Sequence, residues 1–557
     1  MKKEILLGNE AIVKAALASG VSFVSGYPGC PSAEIGDEFG KIAKENGIYA
    51  EWSTNEKVAL EAAIGASFSG LKSLVNMKSF GINVCSDSLF PLAYTGTKAS
   101  MVIVVADDPS CWSSAQTEQN SRAYAYLSHI PMLEPADPQE CYDFTKLAFE
   151  ISEKFNTPVI LRTTTRVNHQ KMPVIINPND KIQISDQVQN PNFKFGNFAK
   201  NPHQFCTMPP RVLEMKAELL EKTEKIRAFA ERSSINPIRK PSASNGASKF
   251  GIITSGVAHL HALEALDEMG LKVPVFKLGF FYPLPENKIT KFIKGLKKVL
   301  VVEELDGYLE KEIKAITKDT NPKLEIFGKG ALSEIGELDS AKIGLAIAKI
   351  TGKKFKVSNA SLSIKNPPRR YPKLCQGCPH LYTIAAIKRI APDAIFGGDI
   401  GCYMIAGYPP HNTQDFEFSM GAGLGISHGV SKSTNQKVIT LMGDGTFFHA
   451  GIPALINTVY NKSNPLLIVL DNRITAMTGH QVNPGMGKNL MGESAEELKI
   501  EEIVRACGVK NIKVLNPSNI KELDATIKEY LEKDEVSVIV CKLICALLAK
   551  RQTAAKE

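Results

Sequence analysis

Short runs of β-branched and other apolar residues alternate along the chain with stretches whose apolar positions recur at helical spacing, and this alternation predicts parallel α/β sheets. In the first third, Val21 to Ser25, Ser73 to Met77, Met101 to Val105 and Pro158 to Arg162 are the expected strands. The stretch beginning near Glu56 carries Ala59, Ala62, Ala63 and Ala66 on one side, which predicts a helix packed closely through small residues. A polar, Asn- and Pro-rich stretch then breaks the pattern and reads as a linker holding one helix, around Val212 to Ala230. The alternation resumes with Phe250 to Thr254 and Val299 to Val302, pauses at a Pro-rich segment, and returns with Lys437 to Met442 and Leu466 to Leu470. The expected organisation is a multidomain α/β protein with modules at 1–175, 249–355 and 373–557, joined by linkers at 176–248 and 356–372.

Composition narrows the class without naming it. A chain of 557 residues exceeds one hydrophobic core. Its 66 Lys and Arg against 58 Asp and Glu are interspersed, so no basic face marks a nucleic-acid partner. The longest apolar strings are strand-sized and predict no membrane span. Ile5-Leu6-Leu7 is too short an apolar run for a secretory signal. Eleven cysteines, an odd number spread over a long chain, do not form a secreted disulfide framework; they read as thiols of a reducing cytosol, which places the protein in the cytoplasm.

Two strand ends carry the first chemistry. Lys437 to Met442 runs into Gly443-Asp444-Gly445-Thr446, after which Ile452, Leu455, Ile456 and Val459 fall at helical spacing. The next apolar strand ends in Asp471-Asn472. In a right-handed βαβ unit the carboxyl ends of both strands lie on one edge of the sheet, so Asp444 and Asn472 are expected to meet there. A carboxylate, an amide oxygen and a nearby backbone carbonyl suit Mg2+, which completes its shell with phosphate oxygens, and the flanking glycines let backbone approach a diphosphate. This layout resembles the thiamine-diphosphate motif.

Cys375-Gln376-Gly377-Cys378 and Cys402 in Asp399-Ile400-Gly401-Cys402-Tyr403 are thiolate candidates for an iron-sulfur cluster or for zinc. Cys85, Cys111, Cys141, Cys206 and Cys507 have no partner spacing and read as ordinary thiols.

The segment from Gly443 to Gly479, together with Leu374 to His380, Val104 to Pro109 and Leu161 to Arg166, resembles the large subunits of the indolepyruvate:ferredoxin oxidoreductase family, within the 2-oxoacid:ferredoxin oxidoreductase superfamily. The resemblance covers nearly the whole chain. It implies two thiamine-diphosphate-binding-type parallel-sheet modules, of pyrimidine-binding type at 1–175 and diphosphate-binding type at 373–557, with a transketolase C-terminal-like α/β domain between them. It implies Gly443, Asp444, Gly445, Thr446, Asn472 and Ile474 as cofactor-binding residues, with the Asp444 carboxylate, the Asn472 side chain and the Ile474 carbonyl as magnesium ligands. It also implies one four-iron four-sulfur cluster on Cys375, Cys378, Cys402 and a cysteine near the chain end, Cys545 or, less favoured, Cys541.

Thiamine enzymes need a carboxylate against the aminopyrimidine ring, because protonating that ring favours the imino tautomer that removes the thiazolium proton. Trp52 to Ala59 resembles the segment that supplies it, with Glu56 at the catalytic position; by itself, a Glu at a helix start reads as a dipole-favourable surface group. Gly26 to Ser32 resembles the family's loop over the substrate, with Cys30 where a threonine is usual, and Cys30 reads equally as a small buried filler. His449 and His480 flank the motif as substrate contacts or as structural histidines.

The implied activity is anaerobic oxidative decarboxylation of a 2-oxoacid, favouring an aryl pyruvate, with acyl transfer to coenzyme A. A smaller oxidoreductase subunit, a ferredoxin or ferredoxin-like subunit, and an oligomer are the expected partners. Many family members continue into a ferredoxin-like domain; no such motif precedes Glu557, so a separate chain is expected to take the electrons. The competing readings are a non-redox thiamine decarboxylase or carboligase with structural zinc, and an assembly subunit with a vestigial site.

Overall fold

Strand Met101–Asp107 and its neighbour Val159–Thr164 are buried along their whole lengths, as the centre of a parallel sheet requires. They belong to a seven-stranded sheet ordered Phe280–Tyr282, Met132–Leu133, Val159–Thr164, Met101–Asp107, Ser73–Lys78, Phe23–Gly26, Tyr49–Trp52. All pairings are parallel except that of Phe280–Tyr282. The four expected strands of this region are present, and the helix expected near Glu56 spans Glu56–Phe68 with Ala59, Ala63 and Ala66 buried. Lys2–Leu7 pairs antiparallel with Lys171–Ile176 as a separate ribbon.

The computed structural model describes residues 2–177, 195–240, 249–357 and 370–554. They fall into two units, Met1–Ser363 and Ile364–Glu557. Within the first unit a second sheet is ordered Glu325–Phe327, Lys298–Val302, Phe250–Ser255, Val275–Leu278, Ile238–Arg239, parallel save for the last strand.

Part of the stretch expected to be a linker is packed structure. Helix Arg211–Arg232 buries Met215, Leu219, Ile226 and Ala230, which recur on one face of an otherwise charged sequence. Residues 178–194 and 241–248 of that stretch, and 358–369 of the second expected linker, lie outside the described residues.

The second unit holds a five-stranded parallel sheet ordered Ile395–Gly397, Val438–Gly443, Leu466–Asp471, Ser537–Lys542, Asn511–Leu515. Leu441, Ile468 and Ile539 face one apolar core, and Met442, Val469 and Val540 the other. Both faces are covered, which is why these strands read as continuous apolar strings rather than alternating ones. Among the described residues no helix is long and apolar enough to cross a membrane.

Candidate active site

Register places Gly443 beside Leu470 and Leu470 beside Cys541, so neighbouring strands of the second unit end on a common edge. Ile395–Gly397 leads there into Asp399 and Cys402, Val438–Gly443 into Asp444, Leu466–Asp471 into Asn472, and Ser537–Lys542 into Cys545. Cys375 and Cys378 stand just ahead of helix His380–Ile390. The carboxyl edge of a parallel sheet is where loops and helix N-termini converge on a ligand.

Asp444 is buried. The Gly445 N–H donates to its Oδ1 at 2.8 Å, the Asn483 amide donates to its Oδ2 at 3.1 Å, and the Ile474 N–H also reaches the carboxylate. That same Ile474 N–H donates to Asn472 Oδ1 at 3.2 Å, so Asp444, Asn472 and the Ile474 backbone gather at one point. Among the described residues Asp444 makes no ion pair, and burial, followed by the nearby Asp471, pushes its carboxyl up to about 7. A buried carboxylate supplied with N–H donors but with no cation is the state a divalent ion relieves.

The turn is built tightly around it. A Cβ on Gly445 would lie 2.9 Å from Thr475 Oγ1, and one on Gly443 would lie 3.1 Å from Tyr403 Cε1. From Asp444 the chain turns helical, passes through a π turn over Phe447–Gly451 and continues as helix Ile452–Tyr460. The Thr446 hydroxyl is engaged, donating to the Ile400 carbonyl at 2.9 Å, so its backbone is what remains for a phosphate. These hard oxygen donors beside a side-chain-free turn fit a magnesium ion that shares its shell with a diphosphate.

Cys375, Cys378, Cys402 and Cys545 lie within electrostatic reach of one another. Burial pushes the Cys402 thiol up to about 12, and Cys378, Cys545, Cys375 and then Asp444 add to the rise. Burial raises the Cys378 thiol, and the His380 and Leu381 N–H groups at the helix start oppose that rise without reversing it. Cys541 instead faces the apolar core from inside its strand. Four gathered sulfurs with amide donors fit an iron-sulfur cluster. Among the described residues no three His, Cys, Asp or Glu side chains are closed up as ligands of a single ion.

Several residues of this edge carried no assignment from sequence. Asp399 is buried and accepts N–H groups of Ile400, Gly421 and Gly423 at 2.8, 2.9 and 3.2 Å, tying the Cys402 loop to the start of helix Ala422–Ser433; burial raises its carboxyl to about 7. Tyr403 is buried and donates to the Ile400 carbonyl at 3.2 Å. Asn483 holds Asp444, and His380 meets Asn472. The motif Cys-x-x-Cys-Pro-His was the one signal for His380; Asn483 has none, being brought in by a loop. His480 stands with its Nε2 3.8 Å from Cys545 Sγ, at the cysteines, and His449 is buried on the π turn.

In the first unit, Glu56 is buried at the start of its helix, whose Asn55 cap accepts the Val58 N–H at 2.9 Å. Only glycine fits opposite, since a Cβ on Gly81 would lie 2.6 Å from Glu56 Cγ. Cys30 is half-buried and its thiol is raised, first by burial and then by Glu34, with Lys78 opposing. Lys78 donates to the Ser113 carbonyl at 2.7 Å, and Asp108 accepts from Ser113, Ser114 and Thr165. Cys30, Glu56, Lys78 and Asp108 all follow or end strands of the seven-stranded sheet at its carboxyl edge.

Three family models match. Residues 14–234 match a thiamine-diphosphate-binding domain of pyruvate flavodoxin/ferredoxin oxidoreductases, 240–361 an indolepyruvate oxidoreductase domain, and 399–541 the C-terminal TPP-binding domain of thiamine pyrophosphate enzymes. The indolepyruvate oxidoreductase subunit IorA of Methanothermobacter thermautotrophicus is 43% identical over 98% of this chain and 87% of its own length. That of Pyrococcus horikoshii is 40% identical over 98% and 86%. A 2-oxoglutarate synthase subunit KorA of Methanocaldococcus jannaschii is 26% identical over 62% of this chain and all of its own.

Proposed function

Because this chain belongs to the IorA family of thiamine-dependent 2-oxoacid:ferredoxin oxidoreductases, we propose that it oxidatively decarboxylates an aryl pyruvate such as indolepyruvate, sending electrons through one four-iron four-sulfur cluster to ferredoxin and the acyl group to coenzyme A. The observation that carries this reading is the meeting, on one sheet edge, of the hard-oxygen site at Asp444, Asn472 and Ile474 with Cys375, Cys378, Cys402 and Cys545. A cluster beside the cofactor is what one-electron removal demands; a simple decarboxylase has no use for it.

In this reading the Asp444 carboxylate, the Asn472 amide oxygen and the Ile474 carbonyl hold Mg2+, and the Gly443 to Thr446 backbone lies along the diphosphate. Bound thiamine diphosphate supplies the electron sink for decarboxylation. Glu56, shielded by burial, holds a proton at the aminopyrimidine nitrogen. Cys30, with Lys78 beside it, borders the substrate. The partners are a smaller oxidoreductase subunit and a ferredoxin or ferredoxin-like chain.

The test is anaerobic purification followed by metal analysis, visible absorption and turnover of a panel of 2-oxoacids with coenzyme A and a viologen dye. A brown iron protein that reduces the dye with aryl pyruvates is expected. A colourless zinc protein overturns the redox reading, and dye reduction with aliphatic oxoacids alone overturns the substrate. Glu56→Gln is expected to retain thiamine diphosphate while activity falls by about 10²–10⁴-fold; full activity would move the role to another carboxylate.

A further inference from the structure

Asn472 sits at a junction. Its side-chain Oδ1 accepts the Ile474 N–H at 3.2 Å, its Nδ2 lies 3.3 Å from His380 Nε2, and its backbone carbonyl accepts the Cys545 N–H at 3.0 Å. The amide orientation is set by the Ile474 N–H: turned over, the NH2 group would face it, donor against donor. Because an amide nitrogen can only donate, His380 Nε2 must be the acceptor, with the ring proton on Nδ1.

His380 is itself fixed. It is buried at the first position of helix His380–Ile390, its ring stands edge-on to Tyr403 with centroids 6.1 Å apart at 89°, and its backbone N–H is given to the Cys378 sulfur. One residue therefore touches a cysteine through its main chain and a metal ligand through its side chain.

We infer that His380 is a positioning residue that holds the Asn472 amide with its oxygen kept for the divalent ion, and so ties the thiamine-diphosphate site to the cysteine turn. This rests on the proposed function, in which Asn472 is a magnesium ligand. Without an acceptor at 380, the amide loses its stop against rotation, and each turn away withdraws one metal oxygen. Outer-shell partners of this kind are worth about 10- to 100-fold in metal affinity.

The experiment is titration of Mg2+ into anaerobically purified full-length chain at fixed thiamine diphosphate, read by cofactor retention on a desalting column, alongside iron content and the electron paramagnetic resonance spectrum of the reduced protein. Wild type comes first. If it neither binds thiamine diphosphate with Mg2+ nor contains iron, the proposed function itself fails. If it does both, His380→Phe, which keeps a ring against Tyr403 but has no acceptor, is expected to need about 10- to 100-fold more Mg2+. His380→Gln, whose carbonyl can take the amide proton, is expected to stay within a few-fold of wild type, with iron content unchanged in both. A Phe variant with wild-type Mg2+ dependence overturns the inference, as does a Gln variant as impaired as Phe. Should His380→Phe fail to fold, the Gln variant decides: near-wild-type Mg2+ dependence supports the acceptor role, and a loss of tenfold or more overturns it.

Discussion

Arg122 and Arg162 in the first unit stand among Glu134, Glu303 and Asp107 with all five side chains almost fully buried, whereas Asp399 and Asp444 in the second unit are as deeply buried and make no ion pair among the described residues. Arg122 reaches Glu134 at 2.6 Å, Glu303 at 3.1 Å and Ser255 Oγ at 2.7 Å; Arg162 reaches Asp107 at 2.7 Å and Glu134 at 3.1 Å. Burial alone would push the Glu134 carboxyl up, but the two guanidiniums outweigh it and hold the group below its ordinary value. Asp444, with backbone and amide donors in place of guanidiniums, goes up to about 7. Two guanidiniums outweigh desolvation at Glu134, whereas at Glu303, where Arg122 opposes it, burial still raises the carboxyl as it does at Asp444.

The difference contrasts a network held by guanidiniums with carboxylates held by N–H donors alone. The Arg122 network joins the seven-stranded sheet to the sheet whose strands end at Ser255 and just before Glu303. At the second unit's edge Asp444 is held by N–H donors alone, and under the proposed function a divalent ion would supply the opposing charge.

Three changes probe that contrast. Asp444→Ala is expected to abolish thiamine diphosphate retention outright, measured as cofactor content after gel filtration, while leaving the urea midpoint of the cofactor-free protein unchanged or higher, because a buried carboxylate without a cation has been removed. A large fall in that midpoint would make Asp444 another Arg122. Arg122→Leu strands Glu134 and Glu303 as buried, under-compensated charges and is expected to destabilise the first unit by about 3–5 kcal/mol, followed by urea denaturation with a fluorescent probe. A loss under about 1 kcal/mol, the worth of an exposed pair, would dissolve the contrast.

The smallest effect is on pH dependence. Glu304 lies beside the Arg122 network, accepts the Leu338 N–H at 3.1 Å, and has its carboxyl raised from 4.5 to about 7, first by burial. Its folded-state value is above the unfolded one, so between those two pH values the native state binds the extra proton. Stability from this group is therefore full below about 4.5, declines as pH rises to about 7, and levels off above it. Glu304→Gln, which keeps the acceptor but cannot ionise, is expected to flatten the decline in urea midpoint between pH 5 and 8; an unchanged slope would assign it elsewhere.

Parts of both regions were legible in the residues and parts were not. The Gly-Asp-Gly turn and Asn472 could be placed on adjacent strand ends because each strand is an unbroken apolar string and a right-handed crossover leaves one arrangement. The helix Arg211–Arg232 was visible from its spacing, yet its packing was hidden by the polar residues around it. Strand Phe280–Tyr282 pairs with Met132–Leu133 across a gap that no local pattern spans. Arg122 gave no sign of its burial, since an arginine flanked by Ser121 and Ala123 reads as surface until Glu303 is folded against it. Asn483 likewise lies in a loop with no motif of its own.

The chain alone gave the central strands, several helix starts and, with the family resemblance, the candidate ligand residues, because periodicity, glycine turns and cysteine spacing act between neighbours in sequence. Only the tertiary structure decided that Asn472 shares hydrogen bonds with His380, 92 positions away, and with Cys545, and that Arg122 is neutralised from within while Asp444 is not. The physical reason is that desolvation and charge pairing depend on what closes over a group in space, and the residues that do so are brought there by the whole fold.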